Sequence, residues 1–268
     1  MEKNKKCPKC GFNHADQDAE CLRCGIIFAK YQNPEKADSL SGNSEIPVET
    51  DRSSDENAIG NEEIVEKADF WSLLKNLFFY EKPDSNPIIF GVRVLFFLIL
   101  VIWGMVFIFS PIESGYPMES FWHLVNLPFH EAGHIIFRPL GRFMTSLGGS
   151  LAQVSMPFVC FLVFLIKMRD TFAASFALWW TGQNFIDLAP YVNDATSLTL
   201  PLVGGNTGQT SPYGFHDWEF ILKESGLIRH DHAIAAFFHW FGATVMIMAM
   251  VWGGYVLYKQ FKNLHLAN

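Results

Sequence analysis

The sequence predicts a mainly α-helical membrane protein, in which a polytopic domain of about five transmembrane helices follows a small cysteine-rich unit and an acidic linker. Three observations lead to this fold class. Two Cys-x-x-Cys pairs stand close together near the start, a polar stretch without aromatic residues follows, and the remainder contains five long apolar runs. The predicted boundaries of the three parts are 1–32, 33–69 and 70–268.

The cysteine-rich unit has the pattern of a zinc ribbon. A glycine follows each of its two cysteine pairs, which permits a tight turn, and two such pairs can place four thiolates around one tetrahedral zinc ion. A unit of about 30 residues has too small a core to fold alone, so we expect the metal to supply most of its folding free energy. The expected ligands are Cys7, Cys10, Cys21 and Cys24.

Two disulfides or a redox-active Cys-x-x-Cys are the alternatives to this structural zinc site. The sequence begins without the pattern of an export signal and has no βαβ pattern around the cysteines, which favours zinc. The unit is similar to the short zinc ribbons of many bacterial proteins. That similarity implies docking of a protein partner or sensing, rather than chemistry.

The linker at 33–69 carries most of the negative charge of the chain, with three Lys or Arg against eleven Asp or Glu. It is rich in Ser, Asn and Pro, and it cannot bury enough apolar surface to offset the entropy of ordering. We therefore expect it to be disordered. Because the acidity is local, the overall charge of −7 indicates no nucleic-acid surface and says little about other partners.

The C-terminal part contains an amphipathic segment and five apolar runs. The segment that starts at Phe70 has the pattern of a short helix on the membrane surface. A helical membrane span needs about 20 mostly apolar residues. The five candidate spans are 88–109, 121–137, 147–166, 171–191 and 233–257.

The orientation of these spans rests on Lys and Arg, which are enriched on the cytoplasmic side of membrane proteins. If the five spans alternate in direction, the basic residues that follow the first span divide evenly between the two sides of the membrane. The acidic loop 110–120 favours the outer side, and Lys82 and Arg93 favour the inner side. We therefore expect an integral protein of the bacterial inner membrane with a cytoplasmic N-terminus and an external C-terminus.

The second apolar run contains the sequence His130-Glu131-Ala132-Gly133-His134. Four residues of an α-helix span about 6 Å and nearly one turn, so both imidazoles point to one face and can bind one zinc ion. Glu131 stands beside them as a general base for a metal-activated water. Ionisable groups at membrane depth are costly and usually mark a functional site. This setting favours a metal site over a solvated helix face, and alternation of the spans would put it near the cytoplasmic side.

A catalytic zinc ion usually has three protein ligands, so another segment is expected to supply the third. The fourth apolar run ends with two carboxylates, Asp187 and Asp194. Asp194 could equally be a turn residue. Asp187 could instead contact a ligating histidine and fix the tautomer of its ring. His216, which lies in a glycine-rich loop, is a further candidate ligand.

Residues 121–195 resemble the site-2 protease family of intramembrane zinc metalloproteases. In that family a His-Glu-x-x-His helix precedes one intervening span and then a span that carries Asn-x-x-Pro-x-x-x-x-Asp-Gly. Here Asn184, Pro190 and Asp194 form a longer version of the second motif, and alanine replaces its glycine. No PDZ-like segment is visible.

The resemblance implies a catalytic zinc ion bound by His130, His134 and Asp194, with Glu131 as the general base. The expected activity is hydrolysis of a peptide bond within or near the lipid bilayer, in a membrane protein or peptide substrate. The alternative is a non-catalytic zinc-binding adaptor or scaffold, in which the ribbon recruits a partner. Glu131 favours the enzyme, because a structural zinc ion needs no general base. A metal transporter would need polar positions along several spans, whereas the ionisable groups lie at one depth.

Overall fold

A computed structural model describes residues 4–7, 13–15, 70–80 and 86–266. The chain divides into two compact units, Met1–Ile64 and Val65–Asn268. In the first unit, strand β1 (Asn4–Lys6) pairs antiparallel with strand β2 (Asn13–Ala15). Cys7 follows β1 directly and is buried. The other three predicted zinc ligands and the linker 33–69 lie outside the described residues, so the ribbon stays a prediction.

The described part of the second unit is a bundle of α-helices joined by short 3₁₀ turns. A π-helix, Val163–Met168, directly continues the α-helix Arg142–Leu162. The helices are α1 (Phe70–Phe78), α2 (Pro87–Phe109), α3 (Tyr116–Glu119), α4 (Phe121–Phe137), α5 (Arg142–Leu162), α6 (Thr171–Asn193), α7 (Asp217–Glu224) and α8 (Asp231–Leu266).

Polar side chains define where the main helices begin. The side chain of Asn86 accepts a hydrogen bond from the Ile88 amide, and Pro87 occupies the first turn of α2. Ser120 accepts from the His123 amide at the start of α4, and Asp170 accepts from the Ala173 amide at the start of α6. Each contact satisfies an amide that has no partner within its own helix.

Three helical segments are long and apolar enough to cross a membrane: Pro87–Phe109, Arg142–Met168 and Ile228–Leu264. Their outer faces expose large apolar side chains, such as Ile88 and Val251. These segments cover the first, third and fifth predicted spans. The second and fourth predicted spans form α4 and α6, which do not belong to this set among the described residues. The protein therefore has the helices of a membrane protein, and the count of five spans stays a prediction.

Helix α6 is buried along most of its length and forms the centre of the bundle. Its Trp179 packs in a core with Phe107 of α2, Trp122 of α4 and Met246 of α8. A Cβ atom on Gly182 would lie 2.7 Å from the Gly242 carbonyl oxygen, so α6 and α8 cross with their backbones in close approach. A helix surrounded by protein on all sides needs no lipid-facing apolar stripe. This burial explains how α6 carries several polar residues.

Helix α8 runs antiparallel to both α2 and α6. At one end of α2, Phe90 packs against Phe261, and at the other end His239 donates a hydrogen bond to the Ile108 carbonyl. The end of α6 contacts the start of α8 through Asn193 and His232, with 2.7 Å between the amide oxygen and Nδ1. Helices α2 and α6 therefore point in the same direction.

Helix α5 runs antiparallel to both α4 and α6. His130 contacts Gln153, whereas His134, one turn later in α4, contacts Thr145, which lies earlier in α5. Gln153 also contacts Asp187 of α6. Helix α4 therefore points in the same direction as α2 and α6, although α2 and α4 are consecutive long helices. Simple alternation of five spans would make α2 and α4 antiparallel.

The start of α4 lies inside the bundle. Trp122 packs against Trp103, with ring centroids 5.8 Å apart. Trp103 lies six residues before the end of α2, which corresponds to about 9 Å along a helix. The segment between Phe109 and Phe121 therefore turns back into the bundle before α4 runs outward again.

The bundle has two ends, which we call the distal end and the site end. The distal end holds the start of α2, the turn between α5 and α6, and the end of α8. Arg93 and Asp170 form a 2.7 Å ion pair there, and α1 is attached by a hydrogen bond from Lys259 to the Phe79 carbonyl. The site end holds the end of α6 and the start of α8. The start of α2 and the end of α8 thus lie together, whereas five alternating spans would separate them.

Candidate metal centre

Helix α4 presents its two histidines to a cavity of about 910 Å³ near the site end. The rings of His130 and His134 have centroids 4.9 Å apart, as expected for residues one helical turn apart on the same face. His130 is buried and His134 is half-buried. Glu131 lines the same cavity and is exposed to it. The predicted helical arrangement of these three residues is therefore present.

Asp217, the first residue of α7, completes a group of three metal-ligating side chains. Its Oδ2 atom lies 3.3 Å from Nε2 of His130 and 3.3 Å from Nε2 of His134. The ligand atoms of the three residues all lie within 4.8 Å of one another, so the group could hold a metal ion. We call His130, His134 and Asp217 the metal group.

The second nitrogen of each imidazole is held by a neighbouring residue. Nδ1 of His134 lies 2.8 Å from the Thr145 carbonyl oxygen, which can only accept, so Nδ1 carries the proton. Nδ1 of His130 lies 2.8 Å from Oε1 of Gln153 and donates to it in the same way. In a neutral imidazole this leaves Nε2 as the free nitrogen, and both Nε2 atoms are directed at Asp217, which is the arrangement that metal ligands require.

Gln153 is itself oriented by a buried carboxylate. Its Nε2 donates to Oδ2 of Asp187 at 2.9 Å, and a carboxylate can only accept, so its amide oxygen must face His130. Asp187 also contacts Nδ1 of His123 at 3.1 Å and accepts from Asn126 at 3.0 Å. Asn126 in turn donates to Gln183 at 2.9 Å. We call His123, Asn126, Gln153, Gln183 and Asp187 the inner polar cluster.

Gly149 of α5 keeps space open beside the metal group. A Cβ atom at this position would lie 2.6 Å from Nε2 of His130 and 2.7 Å from Cε1 of His134. The neighbouring Gly148 has a different role, since its Cβ would lie 2.6 Å from Cβ of Phe137 where α4 and α5 cross. The first glycine therefore preserves the space at the ligand atoms, and the second permits the helix crossing.

The end of α6 holds Asp217 in place. The Tyr191 hydroxyl donates to Oδ2 of Asp217 at 3.2 Å and accepts from the Asp217 amide at 3.0 Å. His216 is fully buried, and its Nδ1 accepts from the Glu219 amide at 3.1 Å, so it caps the start of α7. Its ring packs on Tyr191, with centroids 4.3 Å apart. His216 is therefore adjacent to a ligand and directed away from the metal group.

Asp194, the predicted third ligand, has another position in the structure. Its Oδ2 lies 3.5 Å from Nε2 of His216, and its carboxylate accepts hydrogen bonds from the loop residues Ser197, Thr199 and Leu200. Burial raises the pKa of Asp194, but the facing His216 and these hydrogen bonds outweigh burial and hold the pKa well below its ordinary value. Asp194 is thus the turn residue that the sequence allowed as the alternative.

The structure therefore brings Asp217, and not the predicted Asp194, together with the two histidines. Neither His216 nor Asp187, the other two candidates, belongs to the metal group, although Asp187 does orient His130 through Gln153. Asp217 lies 87 residues after His130 in the chain. Its only sequence signal is a carboxylate at the start of the apolar run Trp218-Glu219-Phe220-Ile221-Leu222 between the last two predicted spans.

The chain was compared with models of known protein families, with curated proteins and with solved structures. None of the three comparisons found a match. The resemblance to site-2 proteases therefore rests on the residues of this chain alone.

Proposed function

We propose that this protein is a membrane-bound zinc metallopeptidase of the site-2 protease type, which hydrolyses a peptide bond at or near the membrane. The observation that carries the proposal is the convergence of His130, His134 and Asp217 in a cavity that Glu131 also lines. Three protein ligands with space for a fourth are typical of catalytic zinc sites. A structural zinc site would instead be closed by a fourth protein ligand.

The donor set supports zinc, and it identifies Fe(II) as the main alternative metal. Two imidazoles and one carboxylate are a common zinc set, but the same set with open positions also binds Fe(II) in oxygenases. A glutamate next to the first histidine favours zinc, because hydrolysis needs a general base. Gly149 supports binding of a metal of either kind, since its missing side chain leaves Nε2 of His130 accessible.

The residues of the chain divide the chemistry between them. When bound, zinc supplies a Lewis acid and lowers the pKa of a coordinated water to about 7. The Glu131 carboxylate takes a proton from water as the water oxygen attacks the peptide carbonyl carbon, and it passes that proton to the amide nitrogen as the C–N bond breaks. The Nδ1 contacts with Gln153 and Thr145 hold both imidazoles in the ligating tautomer.

We also propose that the protein is integral to the bacterial inner membrane with a cytoplasmic N-terminus, and that its substrates are membrane proteins or membrane-associated peptides. Three membrane-length apolar helices support insertion. The four cysteines Cys7, Cys10, Cys21 and Cys24 would bind a second, structural zinc ion in a unit that recruits a protein partner. The spacing of the two cysteine pairs supports this part of the proposal.

The test is a comparison of Glu131→Gln with Glu113→Gln, an exposed glutamate that does not line the cavity. Purified protein would be assayed for zinc content and for cleavage of a peptide library by mass spectrometry. Glu131→Gln should keep the metal and lose about 10²- to 10⁴-fold in rate, whereas Glu113→Gln should keep both. Equal cleavage by the two variants would exclude Glu131 as the base. Zinc without cleavage in the unmodified protein would favour the adaptor, and iron without cleavage would favour an oxygenase.

A further inference from the structure

The metal group lies close to one end of the bundle. Tyr191, which contacts both His216 and Asp217, is two residues from the end of α6. Two residues correspond to about 3 Å along a helix. The start of α8 lies at the same level, because His232 contacts Asn193. The metal group is therefore near the site end and far from the middle of α6.

The side of the membrane that this end faces depends on where the basic residues lie. In the structure α5 and α8 both end at the distal end, so their terminal basic residues join those of α1 and the start of α2. Among the described residues of the second unit, six Lys or Arg belong to the distal end and four to the site end. The distal set is Lys75, Arg93, Lys167, Arg169, Lys259 and Lys262, and the site-end set is Arg138, Arg142, Lys223 and Arg229.

Five alternating spans would divide the same ten residues six to four as well, so the basic residues around the start of α2 fix the orientation and the helix directions place the site. An excess of Lys and Arg marks the cytoplasmic side. Asp170 is the one acidic residue described at the distal end, where it pairs with Arg93. Glu113 and Glu119 follow the end of α2, away from the distal end, and Glu219 and Glu224 belong to α7 at the site end. The helix directions and the charges together assign the distal end to the cytoplasm.

We infer that the metal cavity opens on the extracytoplasmic face of the membrane and takes its substrates, peptide segments close to the membrane surface, from that side. The inference rests on the proposed function for the nature of the substrate. It reverses the orientation of the site that five alternating spans predict. The rim is consistent with an opening to water and lipid headgroups, because Val203 and Phe215 line the cavity and are 69% and 54% exposed.

Thiol accessibility tests the inference without requiring activity. Single cysteines would be introduced at Val203 on the cavity rim, at Leu227 at the site end, and at Asn76 on α1 at the distal end, all exposed positions that carry no charge. The background is Cys160→Ala. Spheroplasts would be treated with a membrane-impermeant polyethylene glycol maleimide, before and after permeabilisation, and the added mass tags counted by gel shift.

The expected result is one added tag on Val203→Cys and on Leu227→Cys in intact spheroplasts, and on Asn76→Cys only after permeabilisation. Two site-end positions are used so that poor folding of one variant leaves the other informative. Labelling of Asn76→Cys alone in intact spheroplasts would overturn the inference, as would labelling of both ends from one side. Because labelling is independent of catalysis, failure here is distinguishable from failure of the Glu131→Gln test.

Discussion

The metal group and the inner polar cluster are neighbouring sets of polar side chains in one apolar bundle, but their hydrogen bonding differs. In the inner polar cluster, the Asp187 carboxylate is in contact with three side chains, from His123, Asn126 and Gln153. In the metal group, two imidazole Nε2 atoms converge on one carboxylate oxygen at the edge of a cavity. Buried polar groups that satisfy one another fix a geometry. Two Nε2 atoms that converge on one carboxylate oxygen need a cation between them, which a metal ion or a proton can supply.

The comparison assigns different tasks to the two sets. The inner polar cluster orients His130 from behind, and the metal group provides the binding surface. A substitution at the metal group should therefore lower metal affinity more than stability, whereas a substitution in the inner polar cluster should lower both. Among the variants, Gly149→Ala is expected to lose the most bound metal and Asp194→Asn the least.

Gly149→Ala should remove most of the bound metal. Its Cβ would lie 2.6 Å from Nε2 of His130, where the ligand atoms converge. The adjacent variant Gly148→Ala should mainly lower thermal stability, because its Cβ meets Phe137 at the helix crossing. Gly91→Ala is the control, since no atom lies within 4 Å of its Cβ position. Metal content by mass spectrometry and thermal unfolding by circular dichroism would separate the three. Full metal content in Gly149→Ala would contradict the site geometry.

Asp187→Asn should weaken metal binding by about 10- to 100-fold, the usual cost of losing a contact behind a metal ligand. An asparagine amide in this position can face Gln153 with a donor, which removes the reason for the Gln153 oxygen to face His130. Stability should fall as well, because Asp187 is buried with three partners. Competition with a chelator of known affinity measures the first effect. Unchanged affinity would mean that Gln153 is oriented by other contacts.

Asp194→Asn should weaken metal binding by less than about 10-fold, because it acts on Asp217 only through His216. Asp170→Asn, at the other end of α6, is the matched control and should change stability without changing metal affinity. The metal-free proteins would be compared by thermal unfolding across pH. A larger loss of affinity in Asp194→Asn than in Asp187→Asn would show that Asp194 acts as a ligand.

The pH dependence follows from the lowered pKa of Asp194. A carboxyl whose folded pKa is depressed stabilises the protein above its unfolded pKa of about 3.9, and this stability is lost as the pH falls towards the folded pKa. Acid should therefore destabilise the parent protein below about pH 4, and Asp194→Asn should lack this component of the loss. Identical acid profiles would contradict the role of the Asp194 contacts.

Local pattern was enough to predict the helical positions of His130 and His134, because four residues along a helix place two side chains on one face whatever surrounds them. It was also enough to predict the apolar helices at 88–109, 147–166 and 233–257, since span length follows from composition. The alternative role of Asp187, behind a histidine, was also predicted from its depth in an apolar run. The Gln153 residue through which it acts lies in a different helix.

Only the tertiary structure decided which carboxylate meets the two histidines and in which direction the helices run. Asp194 and Asp217 are both aspartates near apolar helices, and which of them meets the histidines depends on packing between α4, α6 and α7. Likewise, hydropathy can detect a helix such as α4, but it does not indicate the direction in which that helix runs through the bundle. The turn between Phe109 and Phe121 returns into the bundle, and the contact of Trp122 with Trp103 places it there. Contacts between residues far apart in sequence fixed both features, and no local period encodes them.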